Sequence, residues 1–197
     1  TLIPSDSTQP VIGFDTGPAN TLLDNWTQRH QSKSYDDEGQ WAASGEANQR
    51  LLQQMLADPF FAQAPPKSTG REYWNMVWLD QQLARQSSQL SPTDIQATLI
   101  ELTTHSIIEA IEKVAPQVEQ IFICGGGVHN VRMMERLSML AAPCTVKSTS
   151  SVGFDPDFVE AIAFAWFAQQ TLAGHTLALS SITGARGNRV LGAIYPA

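Results

Sequence analysis

Apolar side chains recur three and four positions apart along several stretches of this chain, and short unbroken apolar runs lie between them. Leu22, Leu23 and Trp26, with His30 one turn further, mark an amphipathic helix that Asn20 or Thr21 can cap. Trp41, Ala47, Leu51, Leu52 and Met55 place a second helix over Gln40–Leu56, stopped by Asp58-Pro59. Ser91-Pro92-Thr93-Asp94 supplies a cap, a proline at the first helical position and an early acid. That helix runs to Val114 with Ile95, Leu99, Leu102 and Ala110 inward, and Pro116 ends it. Asn130–Leu140 reads as another helix. Asp155-Pro156-Asp157 opens a further one, with Val159, Ile162, Ala163, Trp166 and Phe167 apolar and Gly174 closing it.

Val11–Phe14 reads as a short buried strand that ends at Asp15, and Gln120–Cys124 as a buried, parallel one. Cys144–Lys147 and Arg189–Tyr195 complete the expected strands. Ser34–Gly39 is a polar break. Phe60–Gly70, with adjacent Pro65 and Pro66, is a loop, because the two prolines remove donors and enforce extended backbone. The aromatic-rich Arg71–Leu83 forms a short helix or turn. Alternation of strand and helix in the second half predicts an α/β architecture, with no internal repeat.

The 197 residues are 43% hydrophobic, enough for a core of one ordinary domain or of a large half of a two-domain protein. Twelve Lys and Arg against nineteen Asp and Glu leave a formal charge of −7, which argues against a duplex nucleic-acid binder. An anionic ligand stays open, provided backbone N–H groups focus on it. No apolar run reaches the ~20 residues that cross a bilayer, and no signal peptide is visible. Cys124 and Cys144 are too few for a disulfide scaffold, so a reducing compartment is expected, with Cys124 as a small buried apolar residue. The chain has no starting Met, and a fragment or processed chain is expected.

Four places hold candidate chemistry. Gly125-Gly126-Gly127, between a strand and the helix after Asn130, suits either a tight turn or close approach of an anionic or flat ligand. The pattern lacks the third glycine and the following acid of a dinucleotide fold, and no Gly-Lys-Ser/Thr follows, which removes hydride transfer and a P-loop. Asp15, at a strand end before Thr16 and Gly17, is placed as a general base or as a turn former. Pro65–Glu72 carries Lys67, two hydroxyls and Arg71, a polar binding surface or a solvated loop. Glu160 sits among apolar neighbours, on an exposed stripe or in a cleft. The four histidines show no metal-ligand spacing, and no metal site is assigned.

Taken together, several segments resemble the anhydro-N-acetylmuramic acid kinase family: Gly13-Phe14-Asp15-Thr16-Gly17-Pro18-Ala19-Asn20, Pro65–Glu72, Cys124-Gly125-Gly126-Gly127-Val128-His129-Asn130, Glu160–Trp166, Thr183-Gly184-Ala185 and Val190–Pro196. The match runs in order along the chain but covers only the family's C-terminal half. The resemblance implies a ribonuclease-H-like domain of the sugar kinase, Hsp70 and actin superfamily over residues 1–197, a mixed sheet flanked by helices. The glycine-rich phosphate loop of the family's N-terminal domain is absent here, so the missing N-terminal domain is an expected partner and the isolated chain is expected to be inactive. The implied reaction takes 1,6-anhydro-N-acetylmuramic acid, ATP and water to N-acetylmuramic acid 6-phosphate and ADP, in cytoplasmic recycling of cell-wall fragments. The same resemblance gives Asp15 as the base that activates water. It gives Gly17, Gly125, Gly126, Gly127 and Asn130 as nucleotide contacts, with Mg²⁺ as companion ion. Glu160 becomes a sugar contact or a holder of the cleft, and Lys67 and Arg71 contacts to the sugar's lactyl carboxylate or across the interdomain hinge; a homodimer is left open. The rival expectation is a non-catalytic nucleotide-binding module of the same superfamily.

Overall fold

The computed structural model describes residues 1–195, so Pro196 of the terminal motif lies outside the described residues. The helices are α1 (Thr21–Gln31), α2 (Gln40–Ala43), α3 (Gln49–Leu56), α4 (Pro59–Ala62), α5 (Met76–Leu83), α6 (Pro92–Val114), α7 (Val131–Leu140), α8 (Val159–Leu172) and α9 (Ser180–Thr183). The strands β1 (Gln120–Ile123) and β2 (Thr145–Ser148) pair in parallel, Gln120 opposite Thr145 and Ile123 opposite Ser148. The α/β expectation is borne out.

The 23-residue α6 is the beam of the structure. The Ser91 hydroxyl caps it by accepting from the Asp94 N–H, Pro92 sits in its first turn, and Lys113 lies in its last turn. Helices α1, α2, α3 and α7 all pack against it, which buries it from Ile95 through Thr104. Leu51, Met55, Leu79 and Leu102 are fully enclosed around this axis. Because α6 is surrounded, its polar side chains must find partners inside. Thr98 accepts from the Asn48 N–H at 2.9 Å. Gln96 donates to Thr27 at 3.0 Å. Glu101 is gripped by the Arg136 guanidinium of α7, at 2.7 Å from Nη2 and 2.6 Å from Nε.

Three expectations change. The helix expected over 40–56 is split at Ser44-Gly45, because α6 competes for its backbone. A Cβ on Gly45 would lie 2.5 Å from the Thr93 carbonyl oxygen, Asp94 accepts from the Glu46 N–H, and Asn48 caps a fresh start at α3. Val11–Phe14 forms no strand ladder. Ile12 makes one antiparallel bridge to Leu2, and the Val11 carbonyl accepts from the Ser181 hydroxyl of α9. Arg189–Tyr195 is likewise reduced to a bridge between Leu177 and Arg189.

The sheet and α8 are less enclosed than their sequences imply. Phe122 of β1 is 39% exposed, and Cys124 is exposed, against the expectation of burial. No residue of α8 is buried, although the run from Ala161 to Ala168 is wholly apolar; Phe164 is 71% exposed and Trp166 46%. An all-round apolar helix belongs in an interior, so this face of the domain is uncovered.

Leu102→Ala should lower the unfolding free energy by about 2–5 kcal/mol in denaturant titration, the range for emptying a fully buried leucine site.

Candidate functional site

The stretch from Asp15 to Asn20 is laid down on α6 by close packing. A Cβ on Gly17 would sit 2.9 Å from Ser106 Oγ and 3.1 Å from the Phe61 ring, so only glycine lets the backbone approach that surface. Two residues on, the Ala19 carbonyl accepts from the Thr103 hydroxyl of α6 at 2.9 Å. Ala19 has φ +47°, a left-handed conformation that costs a non-glycine residue about 1–2 kcal/mol. The strain sets the exit direction into α1.

The Pro65–Gly70 loop closes on Asp15 from the other side. The Asp15 N–H donates to the Lys67 carbonyl at 3.0 Å. Its Oδ2 accepts from the Ser68 hydroxyl at 2.9 Å and from the Thr69 N–H at 2.8 Å. Both bonds fall on one oxygen, and Oδ1 accepts none among the described residues. The half-buried carboxylate is therefore oriented, with one oxygen left to receive a proton.

This loop is packed, not merely solvated. Asp58 accepts from the Tyr73 hydroxyl at 2.7 Å, the Trp78 indole N–H at 2.9 Å and the Phe60 N–H. The bond to Asp58 pushes the Tyr73 phenol up to about 12. Phe60, Phe61 and Trp74 meet edge to face or stacked within 6 Å beneath it. Lys67 belongs to this support. Its Nζ donates to the Phe60 carbonyl at 3.0 Å and lies 4.4 Å from the ring centroid. Partial burial, then repulsion from Lys113, holds its pKa below the usual lysine range. A cavity of about 30 Å³ beside it is lined by Phe14, Thr16, Phe61, Lys67, Ser106 and Glu109, and it does not reach the glycine turn.

The glycine turn stands at the C-terminal ends of the parallel strands, the usual ligand end of such sheets. Gly125 has φ +73° and ψ −176°, a region that essentially only glycine enters. Its N–H donates to the Pro156 carbonyl at 2.8 Å, and the His129 ring meets the Asp157 carboxylate at 2.9 Å. These links bring the first turn of α8, with exposed Glu160, to the same end of the sheet. Gly126 and Gly127 differ from Gly125. Neither has positive φ, and an added Cβ would meet only ordinary contacts, at 3.9 and 3.6 Å. Neither backbone shape nor internal packing requires glycine there.

The residues around a Cβ at those two positions include the Asn20 carboxamide, at 3.9 Å from Gly126 and 3.7 Å from Gly127. The chain thus brings the Asp15–Asn20 stretch and the glycine turn together. Asn130, expected at the nucleotide, caps α7 by accepting from the Met133 N–H at 2.9 Å. Arg71 is exposed, and its charge reaches Asp24 of α1. Burial raises the Asp24 carboxyl to about 6, with Arg71 opposing the shift. Ser68 and Thr69 stood in the sequence only as two hydroxyls of a loop; Asp24 carried no signal beyond being an acid in a first helical turn. No group of three or more His, Cys, Asp or Glu side chains among the described residues could hold a metal ion. None of their helices is long and apolar enough to cross a membrane.

Comparison with known proteins places residues 2–197 on the model of a family described as anhydro-N-acetylmuramic acid kinase. Proteins of that name from Xylella fastidiosa and Pseudomonas savastanoi are each 50% identical to the chain, over 197 and 192 residues. The Coxiella burnetii protein is 46% identical over 195 residues. The alignments cover 98–100% of this chain and 51–52% of those proteins, so the chain spans about half the length of the curated relatives it matches. The resemblance drawn from the motifs is borne out.

A carboxylate with a folded pKa above its unfolded value opposes folding once ionised: its contribution is best below pH 4 and is lost as pH rises through 6. Asp24→Asn should therefore stabilise the protein at pH 8 by about 1 kcal/mol, after discounting for solvent screening. The gain in melting temperature should shrink through pH 6 and vanish near pH 4.

Proposed function

The chain belongs to the anhydro-N-acetylmuramic acid kinase family, and from that membership we propose that it is the C-terminal, ribonuclease-H-like domain, over residues 1–197, of a two-domain kinase that opens 1,6-anhydro-N-acetylmuramic acid with water and phosphorylates the freed O6 with ATP. The observation that carries this reading is the Asp15 carboxylate, pinned through Oδ2 by Ser68 and Thr69 with Oδ1 unengaged. Opening an anhydro bridge with water needs a fixed base on the water's side of the ring, as in an inverting glycosidase. Asp15 Oδ1 takes the proton as the water oxygen bonds to the anomeric carbon and the bond from that carbon to the bridging oxygen breaks. The leaving oxygen becomes O6, which bonds to the γ-phosphorus as the bond from that phosphorus to the β–γ bridging oxygen breaks and ADP leaves.

Phosphoryl transfer asks for positioning and charge neutralisation. Gly126 and Gly127 fit a nucleotide, because bare backbone lets a nucleoside lie close while neither backbone shape nor a steric clash inside the fold requires glycine there. Gly17 and Gly125 act one step back, by allowing the close packing and the backbone shape that hold the two halves of the site. Mg²⁺ would accompany the phosphates and neutralise their charge, asking few ligands of this chain, whose described residues hold no group of three or more His, Cys, Asp or Glu side chains that could bind it. Glu160 and Arg71 serve as sugar-side contacts, while Lys67 reaches the sugar only by leaving Phe60. The uncovered apolar surface of α8 is where the N-terminal half of the kinase packs. A purely nucleotide-binding module has no use for an oriented carboxylate with an open oxygen.

In the full-length protein, Asp15→Asn should cut turnover of the anhydro sugar at least ~10²-fold, the scale for losing a general base, with ATP affinity little changed. Turnover within a few-fold of wild type in a coupled ADP-release assay would remove Asp15 from this role.

A further inference from the structure

We propose that His129 is a positioning residue for Glu160: its imidazole, bonded to Asp157, fixes the first turn of α8 against the glycine turn and so holds the Glu160 carboxylate in place. This rests on the sugar-side reading of Glu160 given above. His129 closes the short 3-10 turn Gly126–His129 that follows β1. Its Nε2 lies 2.9 and 3.1 Å from the two carboxylate oxygens of Asp157, so the ring straddles the whole carboxylate. Asp157 stands two residues before α8 begins and three before Glu160. An acid just ahead of a helix ordinarily turns back onto the helix's first N–H groups. Here α8 starts at Phe158 with no side-chain cap, and the carboxylate reaches out to His129 instead. The turn before the helix is closed by Asp155, whose Oδ1 accepts from the Asp157 N–H at 3.0 Å and whose carbonyl accepts from the Phe158 N–H at 3.1 Å.

The first turn of α8 has little else to fix it. No residue of the helix is buried, and Phe158 at its start is exposed. A tie from the Thr171 hydroxyl to the Leu191 carbonyl, at 2.6 Å, lies about three turns beyond Glu160. The Gly125 N–H to the Pro156 carbonyl, at 2.8 Å, does join the two segments, but through one backbone bond. A segment held at one bond still swivels about it, and a second bond one residue along, from His129 to Asp157, removes that freedom. Among the described residues it is the one side-chain hydrogen bond between the glycine turn and the approach to α8. Both partners are exposed, and an exposed pair contributes little to global stability. What such a pair does supply is direction. A carboxylate displaced by a fraction of an ångström loses much of its value as a substrate contact, and Glu160 rides on the turn that this pair holds.

The test uses the full-length kinase in steady-state assays, with ATP and the anhydro sugar varied in turn. His129→Ala should lower kcat/KM for the sugar about 3–10-fold, the scale of one hydrogen bond, and leave KM for ATP within ~2-fold. Asp157→Ala should reproduce that loss. His129→Gln, which keeps an N–H donor at similar reach, should recover most of it. If His129→Ala folds poorly, His129→Asn is polar but too short to reach Asp157 and should show the same loss. Because the effect runs through Glu160, adding His129→Ala to Glu160→Gln should cost less than ~2-fold more, a non-additivity that a merely structural role does not produce. A full further loss in that background, a rise in KM for ATP as large as the loss on the sugar, or sugar kinetics unchanged in the single variants would overturn the proposal. Wild-type sugar kinetics in Glu160→Gln alone would sink the sugar-side reading of Glu160 itself, and is seen before the variants are combined.

Discussion

The site depends on how the Asp15–Asn20 stretch is fastened to α6. Gly17 lets the backbone come within van der Waals reach of Ser106 and Phe61, and Thr103 holds the Ala19 carbonyl. Both anchors come from a helix that is enclosed on every side through its first half and ties α7 to itself by the Glu101–Arg136 pair. A helix so constrained cannot shift without disturbing the whole core, because packed interiors transmit displacement instead of absorbing it. The carboxylate at one end of the stretch and the carboxamide at the other inherit that rigidity. Preorganisation of this kind is what a positioned base requires, since a displacement near 1 Å already costs rate.

Much of this was legible in the sequence, and the failures have physical causes. The caps and apolar spacing of α1, α6 and α7 are local signals, and those helices lie where expected, to within a residue or two. The split between α2 and α3 was invisible because its cause is nonlocal. Thr93, Asp94 and Thr98, some fifty residues downstream, supply the groups that terminate one helix and restart the other. The two asparagines show the same limit. By sequence Asn20 or Thr21 can cap α1, and in the structure the Asn20 side chain makes no cap bond, whereas the Asn130 side chain caps α7. Ala19, left-handed and bonded through its carbonyl to the distant Thr103, precedes Asn20, and no reading of the local segment reveals that bond.

The apolar α8 carries a related lesson about what a chain of this span can satisfy by itself. Its composition asks for burial, yet the described residues cover it only in part: Val159, Ala163 and Phe167 are half-buried and no residue of the helix is buried. The relatives are about twice as long, and an exposed apolar surface of this kind marks an interaction site.

Glycine conservatively read as flexibility would have hidden the distinction on which the nucleotide reading turns. Gly125 is required by its backbone angles, and Gly17 and Gly45 by neighbours that leave no room for a methyl group. In each of these the fold alone accounts for the residue. Gly126 and Gly127 meet neither condition, and a helix former there would shorten the entropy loss of folding at no steric cost. Under the nucleotide reading proposed above, the bare backbone at these two positions is what the nucleoside lies against.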